Sequence, residues 1–386
     1  MPIDILNQAL PALSESLKQQ PAVNEVGPLW EMLKRLLAAH APAGGANLLG
    51  GIGDDIAVLA DGLGLRDRFI SHLGSTGNSA IWLGSDKSTA DLVVVAHMDR
   101  PSFRVKLLDQ AILYPLCANR FPAGEYRVPA KAVRFERGRL VVRAEGMLVS
   151  RKDGPTESLR FEVKRGQLAW QDTILMDVHP VLDGDKVIGS GLDNSAGVLV
   201  TLLAAAVLRG IETVLRERER RCLFVFTDQE EGPPSGMFGH GAARLTHALP
   251  PPTYGAVIVD VHDAGPDTVP QLGNGVSYSA ASKWGVGSIV PPNYFSLAVD
   301  MAESFNQIRP TTVQLNTGYQ SRSDDMILGQ WTRILGLSGP PIMEAHTGQE
   351  TARLGDLQDS VWWLTYLLPA LMNLVPDLTP RYALAR

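Results

Sequence analysis

Apolar residues in this chain follow two kinds of pattern, and the change between them is abrupt. Val26, Leu29, Trp30, Leu33 and Leu37 recur at helical spacing, which predicts an amphipathic helix closed by Pro42 and Gly44-Gly45. Short unbroken runs at 80–83, 91–97, 221–226 and 256–261 predict strands, and 313–315 a shorter one. The Leu92-Val93-Val94-Val95 run suits a strand covered on both faces. Helices are predicted over 196–208, 293–308, 324–334 and 356–368, the last apolar on most sides. Strands alternating with helices in this way predict a layered α/β fold, three layers with a central sheet.

From about Ser102 to Asp183 the pattern is different. Segments such as 140–144 and 159–163 alternate with a period of two and are separated by turns such as Arg137-Gly138 and Asp153-Gly154-Pro155. No helical period appears there. The expectation is a small all-β insert over 102–183, a barrel or sandwich, interrupting an α/β domain made of 1–101 and 184–386. The insert is richer in Arg and Lys than the whole, which reads as a solvated strand face.

Composition narrows the partners. The chain has 386 residues, 45% hydrophobic and 20% charged, enough apolar material for a real core. A net charge of -6 argues against nucleic acid, which would leave a basic footprint. Cys117 and Cys222 are too few for a disulfide framework or a thiolate zinc site, so a reducing compartment is expected. The first residues show no basic region and no long apolar run, so neither a signal peptide nor a membrane span is expected, and a cytoplasmic protein is.

Chemistry gathers where strands end. The run 221–226 is followed by Thr227-Asp228-Gln229-Glu230-Glu231 and broken by Gly232-Pro233-Pro234. His97, Asp260 and His346 also follow apolar stretches, and Asp193 opens a helix. In open α/β sheets, ligands lie beyond the carboxyl ends of the strands, so these positions can converge. A set of imidazoles and carboxylates suits zinc, cobalt or manganese. Two ions sharing one carboxylate, roughly 3.5–4 Å apart, need about this many ligands. Taken singly, His97 reads as a core histidine and Asp193 as a helix cap. Asp263 and His262 compete with Asp260, and His240 and His262 read as bystanders.

Ala96-His97-Met98-Asp99, Gly191-Leu192-Asp193-Asn194-Ser195-Ala196-Gly197, Gln229-Glu230-Glu231, Val259-Asp260-Val261 and His346 stand in the order of a known family. They resemble the dinuclear-metal aminopeptidases of the glutamyl, deblocking and tetrahedral type, some of whose members carry the name endoglucanase. That family also carries a small β-domain between its first two metal motifs. The resemblance implies that His97 binds one metal and His346 the other, that Asp193 bridges, and that Glu231 and Asp260 each complete one site. It implies Glu230 as general base and Asp99 as the residue orienting His97. It further implies two divalent ions, a peptide substrate and a homo-oligomer, from dimer to dodecamer.

Three departures from the family pattern lie beside the site: Arg100 in place of an acidic residue, Asn194 in place of a second Asp, and Gly232-Pro233-Pro234 in place of Val-Gly. Arg100 reads as a contact for an acidic substrate group or as a surface ion pair. Ser323-Asp324 reads as a turn lining the site or as a surface cap, and Lys283-Trp284-Gly285 as a pocket wall or a core tryptophan. Competing functions are an amidohydrolase of the same architecture (carboxypeptidase or N-acyl deacylase) and a metal-free binding homologue. The amidohydrolase predicts a mixed helix-and-sheet insert. An endoglucanase using Glu230 and Glu231 would leave both histidines unexplained.

Overall fold

The computed structural model describes residues 2–232, 238–265, 269–309, 313–316, 319, 322–375 and 377–384. The β-branched runs form a central sheet of strands β1 (Phe69–Ile70), β2 (Ser79–Gly84), β3 (Leu92–His97), β4 (Arg221–Thr227), β5 (Gly255–Val259), β6 (Ser277–Ser279), β7 (Gln314–Asn316) and β8 (Ile334–Gly339). Their order is β1-β2-β4-β3-β5-β8-β6-β7. Strands β4, β3, β5 and β8 run parallel, with β2 and β6 antiparallel on either side. This is a mixed sheet. Every residue of β3, β5 and β8 is buried, so both faces are covered, as the unbroken Val and Ile runs require.

The helices Leu192–Arg209 and Leu354–Leu371 pack on each other within the main core, which also takes the helix Val26–Ala38. Leu192–Arg209 is long and apolar enough to cross a membrane by composition, but 94% of it is buried inside the protein, as in a core helix.

The segment after Arg100 forms a closed barrel of six strands: Ser102–Leu107, Ile112–Pro115, Gly124–Glu136, Arg139–Asp153, Thr156–Gly166 and Thr173–Met176. Its interior, including Phe103, Leu148, Phe161 and Ile174, is a hydrophobic cluster separate from the main core. Strand Val181–Asp183 pairs instead with Lys186–Gly189, which pairs with Glu350–Arg353 outside the barrel.

One reading needs correction. The helix expected over 324–334 is only Asp325–Leu328, and Ile334 begins β8. Gly329 and the β-branched Thr332 favour ending the helix, and Ile334 gains a place against β5. Three N-terminal helices (Pro2–Ala9, Pro11–Gln19 and Pro21–Asn24) were not foreseen; two follow a residue preceding proline, where a helix commonly begins anew.

Candidate metal centre

The four parallel strands end on one side of the sheet, and their carboxyl ends carry the site. His97 is the last residue of β3, and Thr227 ends β4 beside it, with the Met98 N–H donating to the Thr227 carbonyl at 2.8 Å. Asp260 follows β5. Asp193 lies in the first turn of Leu192–Arg209, where non-helical backbone at Asp193 and Asn194 turns the carboxylate out of the helix.

The side chains converge on Asp193. Its Oδ1 is 3.2 Å from His97 Nε2 and its Oδ2 is 3.2 Å from His346 Nε2. His97 Nε2 is also 3.4 Å from Asp260 Oδ1, and His346 Nε2 is 3.3 Å from Glu231 Oε1. Around a tetrahedral ion with bonds near 2.0–2.1 Å, donor atoms stand roughly 3.3–3.5 Å apart, so these spacings fit two cations that share Asp193. His97, Asp193 and Asp260 are close enough to hold one ion, and His97, Glu230 and Glu231 also cluster. Glu231 Oε1 is buried and has no hydrogen-bond partner among the described residues, as expected of an atom kept for a cation.

The supporting bonds come from all round the site. Asp99 accepts the N–H of Glu230 on Oδ1 (3.0 Å) and that of Glu231 on Oδ2 (3.1 Å). Its carbonyl lies 3.2 Å from His97 Nδ1 and its carboxylate 3.8 Å away. Asp99 thus orients His97 mainly through its backbone, while its side chain fixes the glutamate pair. Asn194 donates to the Val259 carbonyl at 2.9 Å and accepts the Gly197 N–H at 3.0 Å. The first bond needs a donor that an aspartate lacks, which explains this departure.

Sequence reasoning missed Glu350. It is fully buried, accepts the N–H of Leu192 (2.6 Å) and of Asp193 (3.3 Å) on Oε2, and that of His346 (2.9 Å) on Oε1. It therefore holds Asp193 and His346 in register. The only sequence signal is a charge four residues after His346 in a segment that otherwise reads as loop. Cys117 was also missed. Its thiol lies within 4.8 Å of ligand atoms of Glu231 and His346.

The protonation pattern follows from crowding. Burial opposes charge on His97 and His346, but Asp260, Asp193 and Asp99 push His97 well above its usual range, and Glu231 and Asp193 push His346 up to about 10. Burial raises Glu231 to about 7 and Glu230 well above the carboxylate range. Asp193, despite burial, is held low by the imidazoles of His346 and His97. Burial and the charge of Asp193 push Glu350 up to about 8.

The cluster floors a cavity of about 220 Å³, also lined by Arg120, Asp263, Lys283 and Arg322. Arg120 and Asp263 form an ion pair of 2.6 Å at its rim. A larger groove of about 760 Å³ near Val286 and Trp331 has Arg333 as its one ionisable lining residue, so it offers no comparable chemistry.

Other expectations fall elsewhere. Arg100 does not line the cavity. It is buried, and its guanidinium donates to the carbonyls of Leu36, Leu37 and Ala39 and to Ser195 Oγ, closing the end of helix Val26–Ala38. Ser323 and Asp324 are buried and do not line the cavity, and the Thr227 hydroxyl donates to Asp324 Oδ2 at 2.5 Å. His262 is buried, stacked on Tyr319 and bonded to Ser277, and His240 heads a helix. Pro233 and Pro234 lie outside the described residues, as does the side chain of Trp284; Gly232 and Lys283 line the cavity.

No family model and no curated protein matches the sequence. Solved structures do match. A TET1 peptidase of Pyrococcus horikoshii, described as able to assemble into a tetrahedron or a large octahedral shell, aligns at TM-score 0.65 and 20% identity, over 88% of this chain and 98% of its own. An aminopeptidase of the archaeon Desulfurococcus kamchatkensis aligns at 0.66 and 18%, over 91% and 98%. A Thermotoga maritima protein named an endoglucanase aligns at 0.60 and 19%, over 89% and 99%. Across nearly its whole length, then, the protein has the fold of the TET aminopeptidases, the group its motifs resemble.

Proposed function

We propose that the protein is a metal-dependent aminopeptidase that removes N-terminal residues from peptides. One observation carries this reading: the two oxygens of Asp193 each meet a different imidazole, His97 and His346, at 3.2 Å. His97, Asp193 and Asp260 would hold one divalent ion, and His346, Asp193 and Glu231 the other, zinc or cobalt before manganese. The ions, when bound, lower the pKa of water and polarise the scissile carbonyl. Glu230 takes the proton of the attacking water and delivers it to the leaving nitrogen as the C–N bond breaks. The Asp99 carboxylate keeps Glu230 in place by accepting the Glu230 backbone N–H. The carboxylates lining a small cavity suit the free amino group of a peptide, which limits cleavage to the first residue.

The closed all-β insert supports this over a carboxypeptidase or deacylase, for which a mixed layer is expected. The crowding of Glu230 with His97 and Glu231 supports it over a glycosidase, whose two carboxylates flank a sugar. The likeness to the Pyrococcus peptidase supports a homo-oligomer, and the free thiols of Cys117 and Cys222 fit a reducing, cytoplasmic setting.

Purified protein is expected to carry about two ions per chain and to hydrolyse aminoacyl amides. Glu230→Gln should keep the ions and lose about 10²–10⁴-fold in activity. Full activity in that variant would remove Glu230 from the role. A protein that neither binds metal nor cleaves amides would be a binding homologue instead.

A further inference from the structure

We infer that Cys117 is a ligand of the cation on the His346 side, which makes the two positions chemically unequal. The inference rests on the dinuclear reading above and goes beyond it.

Cys117 follows the barrel strand Ile112–Pro115, and the next residue, Ala118, gives its carbonyl to His346 Nδ1 at 2.5 Å. The barrel therefore brings this loop directly onto the second histidine. Cys117 is 3% exposed, and its sulfur lies within 4.8 Å of a carboxylate oxygen of Glu231 and a ring nitrogen of His346. A buried thiol usually behaves as a small hydrophobe among apolar neighbours. Here its neighbours are a carboxylate and an imidazole. Glu231, itself only 6% exposed, leaves Oε1 without a hydrogen-bond partner among the described residues. That oxygen lies 3.3 Å from His346 Nε2 and faces the thiol, and a cation held between sulfur, Glu231 and His346 would balance the buried carboxylate more fully than the imidazole alone.

The resulting sets differ. The His97 side offers one nitrogen and two carboxylates; the His346 side offers a nitrogen, carboxylates and a sulfur. As the sulfur–metal bond forms, the S–H proton leaves to solvent through the cleft, and no redox partner is needed. A thiolate favours zinc or cadmium over magnesium or manganese, so the His346 position selects soft ions while the His97 position is more tolerant.

The full-length protein, stripped of metal and titrated with cobalt(II), tests this. One of the two cobalt equivalents should raise a near-ultraviolet sulfur-to-cobalt charge-transfer band. Cys117→Ser should lose the band and bind that equivalent at least about 10–100-fold more weakly, while Cys222→Ser keeps both. X-ray absorption of the zinc-loaded wild type needs no variant and should show a sulfur scatterer at about 2.3 Å. Two bound ions with nitrogen and oxygen neighbours alone would overturn the sulfur assignment and leave the dinuclear reading standing. Uptake of no ion at all would overturn both.

Discussion

Glu350 accepts hydrogen bonds from the backbones on both sides of the cluster, so its loss would be felt at Asp193 and His346 together. A glutamine there has one acceptor oxygen and turns an NH₂ group toward at least one of those N–H donors. Glu350→Gln should weaken metal binding about 10–100-fold and cost about 1–3 kcal/mol of stability. Chelator competition and urea unfolding measure the two; no change in either would show that the anchor is redundant. Protonation gives a second test. His346, pushed up to about 10, holds a proton at neutral pH, Glu231, at about 7, titrates across it, and a cation binds only their deprotonated forms. Apparent metal affinity should therefore rise with pH, by up to about tenfold per unit for each proton displaced. A titration at three pH values that gave one constant would contradict this. Residues of this kind show where the sequence stops being readable. His97, Asp193, Asp260 and His346 stand in recognisable motifs, but Glu350 and Cys117 earn their place only by where the chain folds back.

At the scale of elements, the departure at Arg100 proves to concern a helix rather than a substrate. Burial lowers its pKa only to about 10, so the guanidinium stays charged and serves the carbonyls at the end of Val26–Ala38. It also fills the space beside Gly191, where an added Cβ would come within 2.4 Å of Arg100 Nε, and whose φ of 86° favours glycine in any case. Arg100→Met should leave those carbonyls unpaired and destabilise the protein by about 1–3 kcal/mol. KM for an amide substrate should stay unchanged; a large rise would return Arg100 to the substrate. The strands β3, β4 and β5 were legible because buried parallel strands need continuous apolar runs. The 324–334 segment was not, because Ile334-Leu335 fits a helical period as well as a strand, and only pairing with β5 decides between them.

Across the whole molecule, the barrel braces the cleft. The Tyr126 hydroxyl accepts the Gly348 N–H at 2.9 Å, two residues past His346. Val128 packs so closely that a Cβ on Gly348 would come within 2.4 Å of it. His346 has a φ of 64°, uncommon outside glycine, and Glu350 and Ala118 hold it there. Tyr126→Phe should leave that N–H unpaired, cost about 1 kcal/mol and weaken the His346-side ion while sparing the other. Calorimetric titration resolves the two; equal weakening would mean the barrel steadies the entire cluster. The presence of this insert was visible in the alternating pattern of 102–183, but its hold on the second histidine was not, since such contacts join residues more than two hundred positions apart.

A carboxylate held in common by both imidazoles also limits how this centre can change. Any substitution of Asp193 alters both positions at once, so neither can drift toward a new ion through that residue alone. Variation would enter at the periphery, through Asp260 on one flank and Glu231 with Cys117 on the other. A redesign for a mixed pair of metals would begin at those outer residues and leave the middle untouched.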